Sequence, residues 1–554
     1  MRGLRALIPL ALLPVLTLGD QVSVYNSTTN STEYSASTLN PFQWYESRLD
    51  LNPVELEIVV PPSPDVAPGY VFFAPYGNAY QSGPLIFQNS GLMVWSGSGL
   101  FAGTIMDFRP QYYRGEQVLT LFQGTLVDGY ARGQYLLLNS SYAVVATVHA
   151  KNNFFGDLHE FYITKNNTAL ISIYETAAFD LSHIGGPKNG YILAGRFQEI
   201  DIATGNLLFD WSCLDHVQLN ESYIEINTTN GSGENPASPY DYFHINAIVK
   251  DNSGNYLISS RHTNTLFYIH GNTGEIIWRL NGARSNWQVD ENAQFQFQHH
   301  VRWLSNTNDT ITLFDNASNG FINGNNCSRG IIIKLHPNNM TVTLVQEYPN
   351  PDGVLSTSQG NLEILPNGNA FVGWGSNPSF TEFNQTGGVL YHAKFSADPS
   401  TMNYRAFRSN WTSTALTEIP TIFASASSNS SNATVFMSWN GATKEVVGWR
   451  IYGGSTPDSL RPIVQVVRSG FETGYTLPAP FAFVMVEALS SNLIGLVNSS
   501  VFHTGAFEGS TLLASSSPSA SIFPESTSSS ASHLTSLLSL VLAMAGVTSI
   551  LMTV

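Results

Sequence analysis

Charge is scarce in this sequence. Only 12% of its 554 residues are Asp, Glu, Lys or Arg, and the formal net charge is −16. That balance disfavours nucleic acid as a partner. Cysteine is scarcer still. Cys213 and Cys327 are the two in the chain, and their spacing matches no metal motif. They pair as a disulfide in an oxidising compartment or stay as two buried thiols. Helical periodicity is almost absent, which points to an all-β fold. There is no G-x-S-x-G elbow and no phosphate-binding loop, so serine-hydrolase and nucleotide chemistry lack their usual motifs.

The two ends carry long apolar stretches. Two arginines precede the run Ala6 to Leu18, and small residues follow near Gly19. This is the pattern of a secretory signal peptide over 1–19. At the other end, 506–533 is rich in Ser and Thr, and 534–554 is apolar and uncharged. Small residues, a polar spacer and an uncharged tail match a GPI-anchor signal, with attachment between Ser526 and Ser532. A single C-terminal membrane span is the alternative. Export also fits the sixteen Asn-x-Ser/Thr sequons. They are Asn26, Asn30, Asn139, Asn166, Asn220, Asn227, Asn230, Asn308, Asn316, Asn326, Asn339, Asn384, Asn410, Asn429, Asn432 and Asn498. Each marks an expected surface loop carrying a glycan. The expected location is the outer face of the cell membrane or the cell wall.

Between the ends, short β-branched and aromatic runs alternate with Asn, Gly, Asp and Pro turns. One unit recurs: strand, Asn/Gly turn, strand. FYIHGNTGEIIWRL (267–280) and FTEFNQTGGVLYHAKF (380–395) are two examples. A second strand pair precedes each, as in HINAIVKDNSGNYLISS (244–260) and GNLEILPNGNAFVGW (360–374). Two hairpins make the four strands of a propeller blade, and the repeat predicts six blades over 65–420, after an N-terminal segment 20–64. A large β-sandwich is the rival. After Arg408 the pattern changes, and 430–505 reads as a small fibronectin-III-like β-sandwich with Trp439 and Trp449 in its core. A seventh blade is the alternative there.

In a propeller the first strand of each blade lines the central channel. The residues opening those strands are Asp107, His159, His244, the pair His299 and His300, and Gln359. Buried imidazoles need partners, so histidine recurring in three blades points to a site. Asp241 and Tyr242 precede His244, Arg261 and His262 end the LISSRH strand, and Arg329 sits in the long loop after LFDNAS (313–318). Arginine is the natural fork for an oxyanion, and histidine beside it suits proton transfer or nucleophilic attack. Neither a metal nor a cofactor is expected. The expected partner is a small molecule.

The stretch YDYFHINAIVKDNSGNYLISSRH (240–262) resembles the arylsulfotransferase (ASST) family that works without a nucleotide sulfate donor, and most of all its fungal members. QHHVRW (298–303), FDNA (314–317) and SRG (328–330) resemble further segments of that family. The resemblance implies a six-bladed propeller and sulfate transfer between phenols. It implies that His244, His300 and Arg329 bind and polarise the sulfuryl group, with Arg261, His262, His299, His159, Asp107 and Gln359 around the substrate. Bacterial members use one more histidine as a covalent carrier. The matching stretch here, FVGWGSNPSFTEF (371–383), has none, and His392 lies a strand away. Two readings follow: a sulfotransferase-like enzyme, or a non-catalytic cell-surface protein that binds a phenolic, anionic or glycan ligand.

Overall fold

The computed structural model describes residues 40–226, 231–413, 416–426 and 433–505. The expected signal peptide, Ser/Thr-rich linker and apolar tail lie outside them, as do the sequons at Asn26, Asn30, Asn227, Asn230, Asn429 and Asn432. Every long element is a strand. Among the described residues there is no α-helix, only 3₁₀ turns of three residues.

Among the described residues, six sheets follow one another, each with a core of four antiparallel strands and two of them with a fifth strand at the edge. The second is built from Thr104–Tyr113, Glu116–Leu126, Ala131–Leu138 and Val144–Val148. The third holds Phe161–Ile163, Thr168–Phe179, Gly190–Asp201 and Leu207–Ser212. The fourth holds Ile245–Lys250, Tyr256–Ser260, Thr265–Ile269 and Ile276–Leu280. The fifth holds His299–Trp303, Thr310–Asp315, Arg329–His336 and Thr341–Pro349, and the sixth Asn361–Ile364, Ala370–Gly373, Ser379–Phe383 and Val389–Lys394. Their hairpins follow from turn chemistry. In the fourth sheet Asp251 Oδ1 accepts from the amides of Ser253 and Asn255, and Gly254 takes φ +89°. Only glycine adopts that conformation without steric cost.

The first sheet joins distant parts of the chain. Tyr70–Phe73, Leu85–Phe87 and Met93–Ser96 are completed by Phe407–Ser409, paired to Tyr70–Phe73. The short run at 70–73 has its partner at the other end of the repeat. Glu57–Val60 likewise adds to the outer edge of the sixth sheet, and Gln288–Val289 to that of the fifth. Each sheet contacts the next, and the sixth contacts the first.

Beyond Arg408 come two further sheets. One holds Thr421–Ala426, Ala433–Ser438 and Glu472–Thr476; the other orders Arg461–Val467, Val446–Gly454, Phe483–Ser490 and Gly495–Asn498. They share a core that includes both Trp439 and Trp449. This pair is docked on the rest rather than hung from it. Asn440 exchanges two hydrogen bonds with the Ser96 backbone, and the amide of Gly441 donates to Val94 O. Tyr142 stacks on Trp95 at 4.6 Å and donates to Gly441 O. The N-terminal segment joins the same interface, where Ser47 N donates to Glu472 at 2.6 Å.

Two expectations are corrected here. Cys213 and Cys327 are not bonded to each other. Cys213 sits fully buried after the outer strand of the third sheet and accepts the Tyr242 hydroxyl, while Cys327 lies in a loop of the fifth. Burial pushes the Cys213 thiol up to about 12. Asn316 is also no surface acceptor. It has no exposed area, and its amide donates to the backbone of Ser356 and Gln359. A glycan there would remove those bonds and open the loop.

Candidate functional site

Four of the strand-opening residues share a backbone feature. Asp107, His244, His300 and Gln359 have φ of 50°, 56°, 53° and 66°. Non-glycine residues seldom adopt this left-handed region, and such strain concentrates at functional sites. Strand register shifts beside the first three, between Met106 and Arg109, between Ile245 and Ala247, and between His299 and Arg302. Each is a bulge that re-aims side chains.

Two groups result. The first gathers histidines from the third, fourth and fifth sheets. His159 Nδ1 meets Asp157 Oδ2 at 2.6 Å, and His244 Nδ1 meets Asp241 Oδ2 at 2.5 Å. These carboxylates favour the tautomer with the proton on Nδ1, leaving Nε2 with its lone pair. The two rings meet edge to face at 4.8 Å, and His262 lies 4.6 Å from His244. His262 Nδ1 donates to Asp241 O, and its Nε2 accepts from Arg261 at 2.7 Å. Arg261 also donates to Thr357 O, while its Nε has no partner. His299 Nδ1 meets Asn316 Oδ1 at 2.6 Å, and its Nε2 accepts the Gln359 amide. Tyr174 and Tyr404 flank His159. Burial, helped by the charge of Arg261, holds His244 and His299 well below the ordinary imidazole value, and burial takes His262 down to about 3. Burial lowers Arg261 to about 10, so it stays cationic at neutral pH. His244 and Arg261 keep the most surface of this histidine–arginine set, 7% and 8%.

The second group is an ion cluster. Arg405 reaches Asp107 at 3.1 Å and Glu160 at 3.2 Å, and donates to the backbone of His159 and Asn246. Arg109 and Arg302 also bind Glu160, at 2.8 and 2.9 Å. Asp107 is therefore an ion-pair member, not a ligand group of the first set. His300 belongs on this side too. Its Nδ1 donates to Leu362 O, its Nε2 is buried without a partner, and its ring packs on Phe407. The family resemblance selected His300, but the rings packed against His244 are those of His159, Tyr174 and His262.

Arg329 is likewise engaged elsewhere. Its nitrogens go to Asp315 Oδ2 at 3.1 Å, Glu347 Oε2 at 2.6 Å and Gln294 O at 3.0 Å. Arg261 is the guanidinium beside the histidines. Gln359 contributes its backbone to the site, while its side-chain amide meets Ser358 and Met402. His392 is buried between Thr381 and Asp352 in the sixth sheet, and Trp374 donates to Thr381. Asp157, Glu160, Arg405 and Arg302 were not singled out from the sequence. Asp157 had a signal, two residues before His159; Arg405 had none.

Asp241, His244 and His262 bring possible metal-ligand atoms within 4.8 Å of one another. Two imidazoles and a carboxylate suit zinc. Yet both nitrogens of His262 are engaged, one by the cation of Arg261. A metal ion would have to displace that guanidinium and bear its repulsion, so the donor set does not fit one.

His300 supports a test of the ion cluster. Burial, with Arg302, Arg405 and Arg109, holds its imidazole well below the ordinary value. The unfolded chain then takes a proton below about pH 6.5 that the folded chain refuses, so this group removes stability as pH falls. Asn tolerates positive φ and can still donate to Leu362 O. The stability of His300→Asn relative to wild type is expected to rise by about 1.4 kcal/mol between about pH 7.5 and pH 5.5. Denaturant unfolding at both pH values measures it; a difference independent of pH overturns the assignment.

Residues 109–396, just over half of the chain, match the family described as Arylsulfotransferase (ASST). No curated protein sequence matches the chain significantly. Among solved structures, a Bacteroides caccae protein of unknown function is similar at 13% identity and TM-score 0.34, over 61% of this chain and 98% of its own. An inactive virginiamycin B lyase from Staphylococcus aureus, solved with quinupristin, shares 8% identity at TM-score 0.27, over 67% of this chain and 96% of its own. A GH43 protein from Bacillus licheniformis shares 8% identity at TM-score 0.26, over 73% and 90%. With the family match spanning the second to the sixth sheet and the histidine group within it, the chain belongs to the arylsulfotransferase (ASST) family.

Proposed function

We propose that this protein transfers a sulfuryl group from a phenolic sulfate to a phenolic acceptor, without a nucleotide donor, at one end of a six-bladed propeller. The observation that carries the reading is the pair of carboxylate-held imidazoles, His159 and His244, meeting at 4.8 Å beside Arg261. The contacts running from each sheet to the next and from the sixth to the first support the propeller. The three- and five-stranded sheets after Arg408 support a fibronectin-III-like module.

Direct transfer needs one base and one acid. His244, kept neutral by burial, takes the proton of the acceptor hydroxyl on Nε2. The acceptor oxygen bonds to sulfur as the bond from sulfur to the donor phenolate breaks. The adjacent His159, oriented by Asp157, passes a proton on to that leaving oxygen. Arg261 opposes the charge on the sulfonate oxygens. His299 and His262 hold the surrounding backbone and Arg261. This route needs no covalent histidine, consistent with the histidine-free stretch 371–383.

The test is transfer from 4-nitrophenyl sulfate to a phenol, followed by nitrophenolate release. His244→Gln is expected to lower the rate by about 10²–10⁴-fold. Absence of transfer by wild type over a range of pH and acceptors overturns the enzymatic reading. Saturable binding of the sulfate without turnover then favours a ligand-binding protein. Export, glycosylation and a GPI-type anchor remain part of this reading, supported by the run 6–18, the sequons and the uncharged tail.

A further inference from the structure

A cavity of about 1010 Å³ opens between the first sheet and the pair of sheets that follows Arg408. Tyr70, Leu92 and Val467 give it apolar walls, and Gln88 and Ser469 add polar groups. Asn410 lines it as well, is exposed, and heads the sequon Asn410-Trp411-Thr412. Trp411 is 2% exposed and its indole donates to the Tyr142 hydroxyl at 3.1 Å. The residue after the acceptor asparagine is thus anchored at the junction of the two parts.

We propose that an N-linked glycan on Asn410 fills this cavity and bridges the first sheet to the C-terminal sheets. The linkage forms when Asn410 Nδ2 loses a proton and displaces the diphosphate from C1 of a lipid-linked oligosaccharide. Among the described sequons, Asn410 alone lines the cavity. Cavities that enclose a small ligand run to about 300–1,000 Å³, so the first sugars fit. Sugar rings present apolar C–H faces between hydroxyl and acetamide groups. Apolar walls carrying amide and hydroxyl groups complement both. The sugar would cover Val467, which otherwise stands 59% exposed. The inference rests on export of the chain, and its test separates the two.

The full chain is secreted from a eukaryotic host, and each sequon is mapped by glycopeptide mass spectrometry. Native and denatured samples are then treated with an amidase that removes N-glycans. Asn410 is expected to be occupied, and its sugar to leave native protein at least about tenfold more slowly than those on exposed Asn166 and Asn339. Denaturation is expected to abolish that difference. Asn410→Gln and Thr412→Val are both expected to lower the melting temperature, whereas Asn339→Gln does not. An empty Asn410 beside occupied Asn166 and Asn339 overturns the proposal and leaves export standing. Equal release rates in the native state overturn the packing. A chain with no sugar at any sequon overturns both.

Discussion

Arg261→Gln is expected to lower kcat/KM for an aryl sulfate by about 10²–10³-fold while the protein stays folded. The guanidinium is the cation beside His244 and His262, and it retains an Nε without a partner. Glutamine keeps a donor for Thr357 O but removes the charge that opposes the sulfonate oxygens. Lysine is not an equivalent, since it loses the fork that reaches both Thr357 O and His262. Arg329→Gln is the control. That guanidinium already serves Asp315, Glu347 and Gln294, so its loss is expected to change stability with kcat/KM nearly unchanged. If Arg329→Gln abolishes transfer in a folded protein and Arg261→Gln does not, the assignment of the anion-holding arginine is wrong.

The second large effect concerns stability. Arg405→Met is expected to destabilise the fold by roughly 3–5 kcal/mol, read from denaturant unfolding. Arg405 is fully buried and joins Asp107 of the second sheet to Glu160 of the third, with further bonds to the backbone of the third and fourth. Its removal leaves Asp107 with Arg109 at 3.4 Å as its ion-pair partner. Glu160 keeps Arg109 and Arg302. Pairing Arg405→Met with Asp107→Leu is therefore expected to recover part of the loss, because an isolated buried carboxylate costs more than an apolar replacement. A neutral Arg405→Met shows that the cluster does not hold these sheets together.

Much of the architecture was legible. The hairpin at 251–255 follows from Asp, Ser, Gly and Asn within five residues, and such turn chemistry acts over one or two peptide bonds. The C-terminal core was legible for a similar reason, since Trp449 sits in a strand of alternating pattern and Trp439 directly follows one. His159, His244, Arg261 and His262 were picked out as polar groups at strand ends, and the fold does bring them together. The choice between adjacent His299 and His300 was not legible. It depends on a bulge in which His300 takes φ +53°, giving the two rings different neighbours. Arg329 drew attention through its motif, but its three partners come from residues 294, 315 and 347. The pairing of two cysteines was equally a question of distance in space.

By itself, then, the sequence determined that this chain makes strands, where most hairpins turn, and that histidines open several of the strands. Alternating side chains and glycine or asparagine turns act between near neighbours, so they can be read in order. Only the tertiary structure decided that Phe407–Ser409 completes the sheet begun at Tyr70–Phe73 and that Arg405 sits between Asp107 and Glu160, carboxylates from two different parts of the chain. It also decided that Arg261 rather than Arg329 stands by His244. Those outcomes depend on contacts between residues far apart in the chain, where burial forces each charge to find a partner.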